Sequence, residues 1–132
     1  QTNRIAEAES FIRINKNLYK LLINDENLFN NLCHTAKVAG ILAAKNTSFQ
    51  IPLTHQISLD HISIEFSLEK ENYIYLKSSI KTRYATGLEI ESLNCISTAA
   101  ITIFDMLKSY KKEIIIENIK LVKKRGGKNN IG

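Results

Sequence analysis

An antiparallel sheet with helices packed on one face, an α+β fold, is predicted by three features of this sequence. Alternating apolar and polar residues mark strands near both ends and in the middle of the chain. Segments with helical spacing lie between them. The resulting order of strand, helix, helix, strand, strand, helix, strand fits an antiparallel sheet with its helices on one side. A chain of 132 residues suits one domain, 1–132, that buries a core without disulfides or a structural metal.

The elements follow in order. From Arg4 to Ile14 the period is two, with Ala6, Ala8, Ser10, Ile12 and Ile14 on one face and Glu7, Glu9 and Arg13 on the other, as in a strand. "NKNLYKLLINDEN" predicts a short amphipathic helix from about Asn15, and a second helix is expected from Leu28 to Lys45. Its last part, "AKVAGILAAK", is a run of small residues suited to close packing, and Asn46 and Thr47 break it. After Pro52, Ile57 and Leu59 alternate in one phase, while Ile62, Ile64, Phe66 and Leu68 alternate in the other, so a bulge or bend is expected near His61.

"LEKENY" supplies a hairpin turn, and the returning strand places Ile74, Leu76, Ser78, Ile80, Thr82 and Tyr84 on one face. Thr86 and Glu89 have capping-box spacing, which predicts a helix from Gly87 to about Lys111. "EIIIENIKLVKK" then closes the domain as a strand, completing a ferredoxin-like order.

Composition narrows the function. With 44% hydrophobic and 23% charged residues the chain is not a disordered one. Cys33 and Cys95 sit in apolar surroundings, which predicts free buried thiols, a reducing compartment and a cytoplasmic location. No apolar run approaches the roughly 18 residues of a spanning helix, so no membrane partner is expected. Gln1 rather than Met at the start leaves a removed targeting segment open.

The net charge of +5 invites a phosphate-bearing partner, although the basic tail "KLVKKRGGKNN" also reads as a solvated terminus. Tyr73 and Tyr75 with that tail would suit RNA on a ferredoxin-like sheet, but no RNP-type motif accompanies them and no nucleic-acid partner is expected. The three histidines show no metal-ligand spacing, and there is no P-loop, dinucleotide fingerprint or serine elbow, so neither metal nor cofactor is expected.

Two carboxylates in "ATGLEIES" call for a reason. Glu89 can cap the helix it begins, whereas Glu91 is not needed for that, and each complements the helix dipole by about 0.3–1 kcal/mol. The same helix carries Asp105 and Lys108 among apolar neighbours, where an i,i+3 ion pair is the plain alternative to a site. Glu91 and Asp105 return to nearly the same face but stand about 21 Å apart along the axis. One site using both therefore needs a second subunit. His55 lies in the irregular "IPLTHQIS", where side chains are placed for function, although a lone histidine is more often structural.

Taken together, "AKVAGILAAKNTSFQIPLTHQI", "ATGLEIESLNCISTAAITIFDMLK" and "RGGK" resemble the MoaC family, the cyclic pyranopterin monophosphate synthases of molybdenum cofactor biosynthesis. The opening "TNRIAEAESFIRI" resembles the family's first strand. The resemblance implies a lyase that converts the cyclised GTP intermediate, 3',8-cyclo-7,8-dihydro-GTP, to cyclic pyranopterin monophosphate plus pyrophosphate. It also implies a homo-oligomer, a hexamer built as a trimer of dimers with sites at subunit contacts.

Carried over by position, His55, Glu89, Glu91, Asp105 and Lys108 are the catalytic candidates, and Arg4, Thr54 and Lys124 the substrate-binding ones. Thr54 stands where the family has cysteine and Gln56 where it has proline, while Phe29 and Ala85 replace family lysines. Phenylalanine supplies neither the charge nor the proton of a lysine, so an impaired synthase is expected. The competing reading is an inactive homologue acting as a nucleotide-binding or assembly subunit.

Overall fold

The computed structural model describes residues 3–84, 86–126 and 131–132. Ala85 and the end of the "RGGK" motif lie outside the described residues. The elements are β1 (Arg4–Ile14), α1 (Lys16–Asn24), α2 (Glu26–Lys45), α3 (Thr47–Gln50), β2 (His61–Glu69), β3 (Tyr73–Thr82), α4 (Glu89–Leu107), a 3-10 turn (Lys108–Tyr110) and β4 (Ile114–Arg125). The four strands form one sheet in the order β2-β3-β1-β4, and every neighbouring pair is antiparallel. This is the ferredoxin-like order expected from the sequence.

Alternation in the two central strands decides which face is covered. Ala6, Ala8, Ser10, Ile12 and Ile14 of β1 and Ile74, Leu76, Ser78, Ile80 and Thr82 of β3 are all buried. They share one core with Leu32 and Ala36 of α2 and with Ile96, Ala99, Ala100, Ile103 and Leu107 of α4. Each fully buried Leu or Ile stabilises the fold by about 1.5–3 kcal/mol relative to an exposed one. The small-residue run in α2 lets the helix backbones approach closely: a Cβ on Gly40 would lie 3.0 Å from the Cys95 carbonyl oxygen of α4 and 2.6 Å from Ile64 Cδ1 of β2.

Caps set the helix ends. The Asn15 side chain accepts from the backbone N–H groups of Asn17 and Leu18, at 2.8 and 3.3 Å, and starts α1. Asp25 accepts from Leu28 N–H at 3.0 Å, so α2 begins at Glu26, two residues before the expected Leu28. After Lys108–Tyr110, Lys111 takes a left-handed conformation (φ 57°) and ends the helical stretch where the sequence placed it.

Four details differ from expectation. The break at Asn46–Thr47 is followed by a further helical turn, α3. Ile57 and Leu59 lie before β2 rather than in it, and β2 pairs with β3 without a register shift. The irregularities fall between β1 and β4 instead, near Glu7/Ala8 and Glu9/Phe11, with Asn118 at φ 55°. Tyr84 is exposed beyond the end of β3. Finally, Glu89–Tyr110 is, by length and composition, long and apolar enough to cross a membrane, at 22 residues. Its apolar side is spent on the core, packed against the sheet and α2.

Both cysteines are free. Burial pushes the Cys95 thiol up to about 12 and that of half-buried Cys33 up to about 11, which leaves them un-ionised and unreactive.

Candidate active site

The first turn of α4 is fixed from below. Ser92 Oγ lies 2.9 Å from Ser78 Oγ of β3 and donates to the Ala6 carbonyl of β1 at 3.3 Å. These buried hydroxyls satisfy each other and tie the turn that carries Glu89 and Glu91 to the two central strands. Leu88 occupies the cap position of this helix and makes no side-chain capping bond, so among the described residues the expected Thr86–Glu89 capping box does not form. The Glu89 carboxylate is drawn instead to Lys124 Nζ, 2.8 Å away near the end of β4.

The segment opposite is fixed from the side. Asn94, one turn along α4 from Glu91, donates from Nδ2 to Gln50 Oε1 at 2.8 Å and to the Ala43 carbonyl at 3.0 Å. It thereby fastens α3 and the end of α2 to α4. The chain leaves α3 through a turn in which Thr54 Oγ1 donates to the Ile51 carbonyl at 2.9 Å. Thr54 and His55 follow, and with Glu89, Glu91, Leu53, Ile57, Thr86, Gly87 and Ile90 they line a cleft of about 270 Å³. Asn94 was not singled out from the sequence; its only signal there is a polar residue three positions after Glu91 in an apolar helix.

The two glutamates are driven apart electrostatically. Burial by itself would raise the Glu89 pKa, but the hydrogen bond and charge of Lys124 and the Leu88 and Glu89 backbone N–H groups outweigh it and hold the carboxyl below its usual range. Glu91 is only 5% exposed, and burial raises its pKa, opposed by its own backbone N–H and reinforced by the negative charge of Glu89. One carboxylate is kept ionised while its neighbour is pushed toward the protonated form, an arrangement that can accept and donate protons in one cleft.

The structure therefore brings together Thr54, His55, Glu89, Glu91 and Lys124. Arg4 lies at the same end of the sheet, paired with Thr82 and next to the Ile5–Arg125 pair, but it lines a different cavity. Asp105 and Lys108 form an exposed ion pair of 2.7 Å at the far end of α4 and do not reach the cleft within one chain. Among the described residues no group of three or more His, Cys, Asp or Glu side chains is arranged to hold a metal.

On the open face of the sheet, Phe11 packs against Tyr73 and Tyr75 with ring centroids 5.7 and 4.9 Å apart. The hydroxyls of Tyr73 and Tyr75 donate to Glu117 and Glu9, which sets carboxylates where a nucleic-acid phosphate would have to approach.

Comparison with known proteins agrees with the motifs. The MoaC family model matches residues 1–127. The chain is 40% identical over 128 residues to a cyclic pyranopterin monophosphate synthase of Bordetella avium, covering 96% of this chain and 79% of that protein. It is 39% identical over 132 residues to a synthase of the same name from Staphylococcus aureus, covering 97% and 80%. The chain belongs to the MoaC family.

Proposed function

We propose that this chain is a cyclic pyranopterin monophosphate synthase of molybdenum cofactor biosynthesis, a lyase acting on 3',8-cyclo-7,8-dihydro-GTP with release of pyrophosphate. The observation that carries the reading is an ion-paired Glu89 and a buried Glu91 lining one cleft with His55, their pKa values shifted in opposite directions, in a chain that matches the family from residue 1 to 127. Opening and rebuilding a purine ring requires protons to be taken and given at neighbouring atoms. Glu89 serves as base, Glu91 as acid and His55 as a proton carrier, while Lys124 and Arg4 meet phosphate.

Asp105 and Lys108 complete the site from a second copy. Glu91 and Asp105 are separated by about 21 Å of α4, so an antiparallel α4 from a neighbouring chain exchanges the two ends across a two-fold axis. The outer faces of α2 and α4, with α3 and the turn after it, support such a contact, for Val38, Leu42, Phe49, Leu53 and Ile101 are each more than half exposed. A cytoplasmic hexamer, arranged as a trimer of dimers, is the assembly proposed.

Two substitutions favour a slow enzyme. Phe29 is packed against the core in place of a family lysine, and the Thr54 hydroxyl is committed to the Ile51 carbonyl. The test is incubation of the purified protein with the cyclised GTP intermediate while product and pyrophosphate are followed by mass spectrometry. Turnover that depends on Glu91 supports the synthase. Nucleotide binding without product, beside an active relative, replaces it with the assembly-subunit reading.

A further inference from the structure

The wall of the cleft that carries His55 has few attachments of its own. Ile51, Pro52, Leu53, His55 and Gln56 are exposed. Among the described residues, the hydrogen bonds of 52–57 are those that the Thr54 N–H and hydroxyl donate to the Ile51 carbonyl, at 3.2 and 2.9 Å, and neither reaches another element. Downstream the chain is held firmly. Ile57 and Leu59 pack against the core, the Ser58 carbonyl accepts from Thr82 Oγ1 at 2.8 Å, and the Asp60 carboxylate accepts from the Arg83 backbone N–H at 2.8 Å.

Upstream the attachment is slighter. Gln50 is the last residue of α3, and its exposed side chain meets one partner among the described residues, Asn94 Nδ2 at 2.8 Å. The Asn94 amide has two N–H groups and three acceptors in reach, for the Ala43 carbonyl lies at 3.0 Å and Thr47 Oγ1 at 3.3 Å. Thr47 is buried and secured without Asn94, because its hydroxyl reaches the Ala43 and Ala44 carbonyls at 3.0 Å. Gln50 has no such second hold. Asn94 itself stands one turn beyond Ile90 and Glu91, on the helix that forms the opposite wall.

We propose that the Asn94–Gln50 hydrogen bond is a positioning contact, which sets where the 51–56 segment carries His55 relative to Glu89 and Glu91. It joins the helix of one wall to the residue from which the other wall departs. An exposed bond of this kind adds little to stability, since water takes the place of a lost partner. A small displacement of a reacting group, by contrast, removes much of a rate. The effect on turnover rests on the synthase reading, and the effect on the segment does not.

Two substitutions of Gln50 test it in the full chain. Gln50→Met keeps the length of the side chain and removes the acceptor, whereas Gln50→Glu retains one. Hydrogen–deuterium exchange at single-residue resolution should quicken about tenfold at the Ile51 and Thr54 amides in Gln50→Met, return toward the parental rate in Gln50→Glu, and stay unchanged in β1 and β3. These two amides report on the turn because they donate within it, to the Thr47 and Ile51 carbonyls. With the cyclised GTP intermediate, kcat should fall by about tenfold in Gln50→Met and recover in Gln50→Glu, with melting temperatures within about 2 °C of the parent. Unchanged exchange at Ile51 and Thr54, or faster exchange throughout the sheet, overturns the proposal, as does an active parent whose kcat is indifferent to Gln50→Met. A parent without turnover removes the synthase reading alone, and the exchange rates then decide whether Gln50 holds the segment.

Discussion

Lys124 Nζ lies 2.8 Å from a carboxylate oxygen of Glu89, an ion pair that joins the last strand to the first turn of α4. This contact offsets the effect of burial on Glu89. In Lys124→Met burial wins, the Glu89 pKa rises, and the acid limb of the kcat profile moves to higher pH. Stability follows the same sign. A carboxyl whose folded pKa is depressed stabilises the protein above its unfolded pKa and ceases to do so as pH falls through the folded value. Lys124→Met therefore costs about 1 kcal/mol near pH 7 and less near pH 3, as thermal melts at the two pH values will show.

Glu91 has the opposite sign. Its folded pKa is raised, so its contribution to stability is present below the unfolded pKa and is lost as pH rises through the folded value. Glu91→Gln should melt higher than the parent at pH 8 and nearly equal to it at pH 4. Its kcat should fall by about a hundredfold or more, the usual cost of losing a proton-transfer group. A site tuned for chemistry at the expense of stability gives this pair of effects.

Gly87 separates geometry from stability. A Cβ built there would lie 2.1 Å from Glu89 Oε1, the far end of a flexible side chain. Gly87→Ala should leave the melting temperature within about 2 °C of the parent, because the carboxylate can swing away at small cost. The displaced carboxylate loses Lys124, and kcat should fall by about tenfold or more.

Gly40 is the contrasting glycine, far from any proposed chemistry. Its neighbour at 3.0 Å is the Cys95 backbone carbonyl, which cannot swing away, so α2 and α4 must separate to admit a methyl group. Gly40→Ala should destabilise by about 1–3 kcal/mol in urea unfolding.

How much of this was legible in the sequence depended on range. The period of two in β1 and β3 identified the buried faces, since both strands are central and covered on one side only. The geometry of α4 was equally legible: fourteen residues between Glu91 and Asp105 put them beyond one another's reach without any tertiary information. The role of Glu89 was not. Its spacing from Thr86 satisfied a local rule, while its partner is Lys124, brought near only when β4 pairs with β1 opposite Ala6. Ile57 and Leu59 misled for a related reason. Alternation over a few residues does not distinguish a paired strand from the half-buried approach to one. The anchoring of α3 by Asn94 was invisible because α3 itself has only four residues.

The most direct measurement of the shared site is complementation between two variants, Glu91→Ala and Lys108→Ala, each assayed alone and then after unfolding and refolding together. Each alone should be nearly inactive. In mixed assemblies one site receives both lesions and its twin receives neither, so about a quarter of the sites should regain parental turnover. A mixture no more active than its components, with subunit exchange verified by mass spectrometry, would show that Glu91 and Lys108 do not serve one site from different chains.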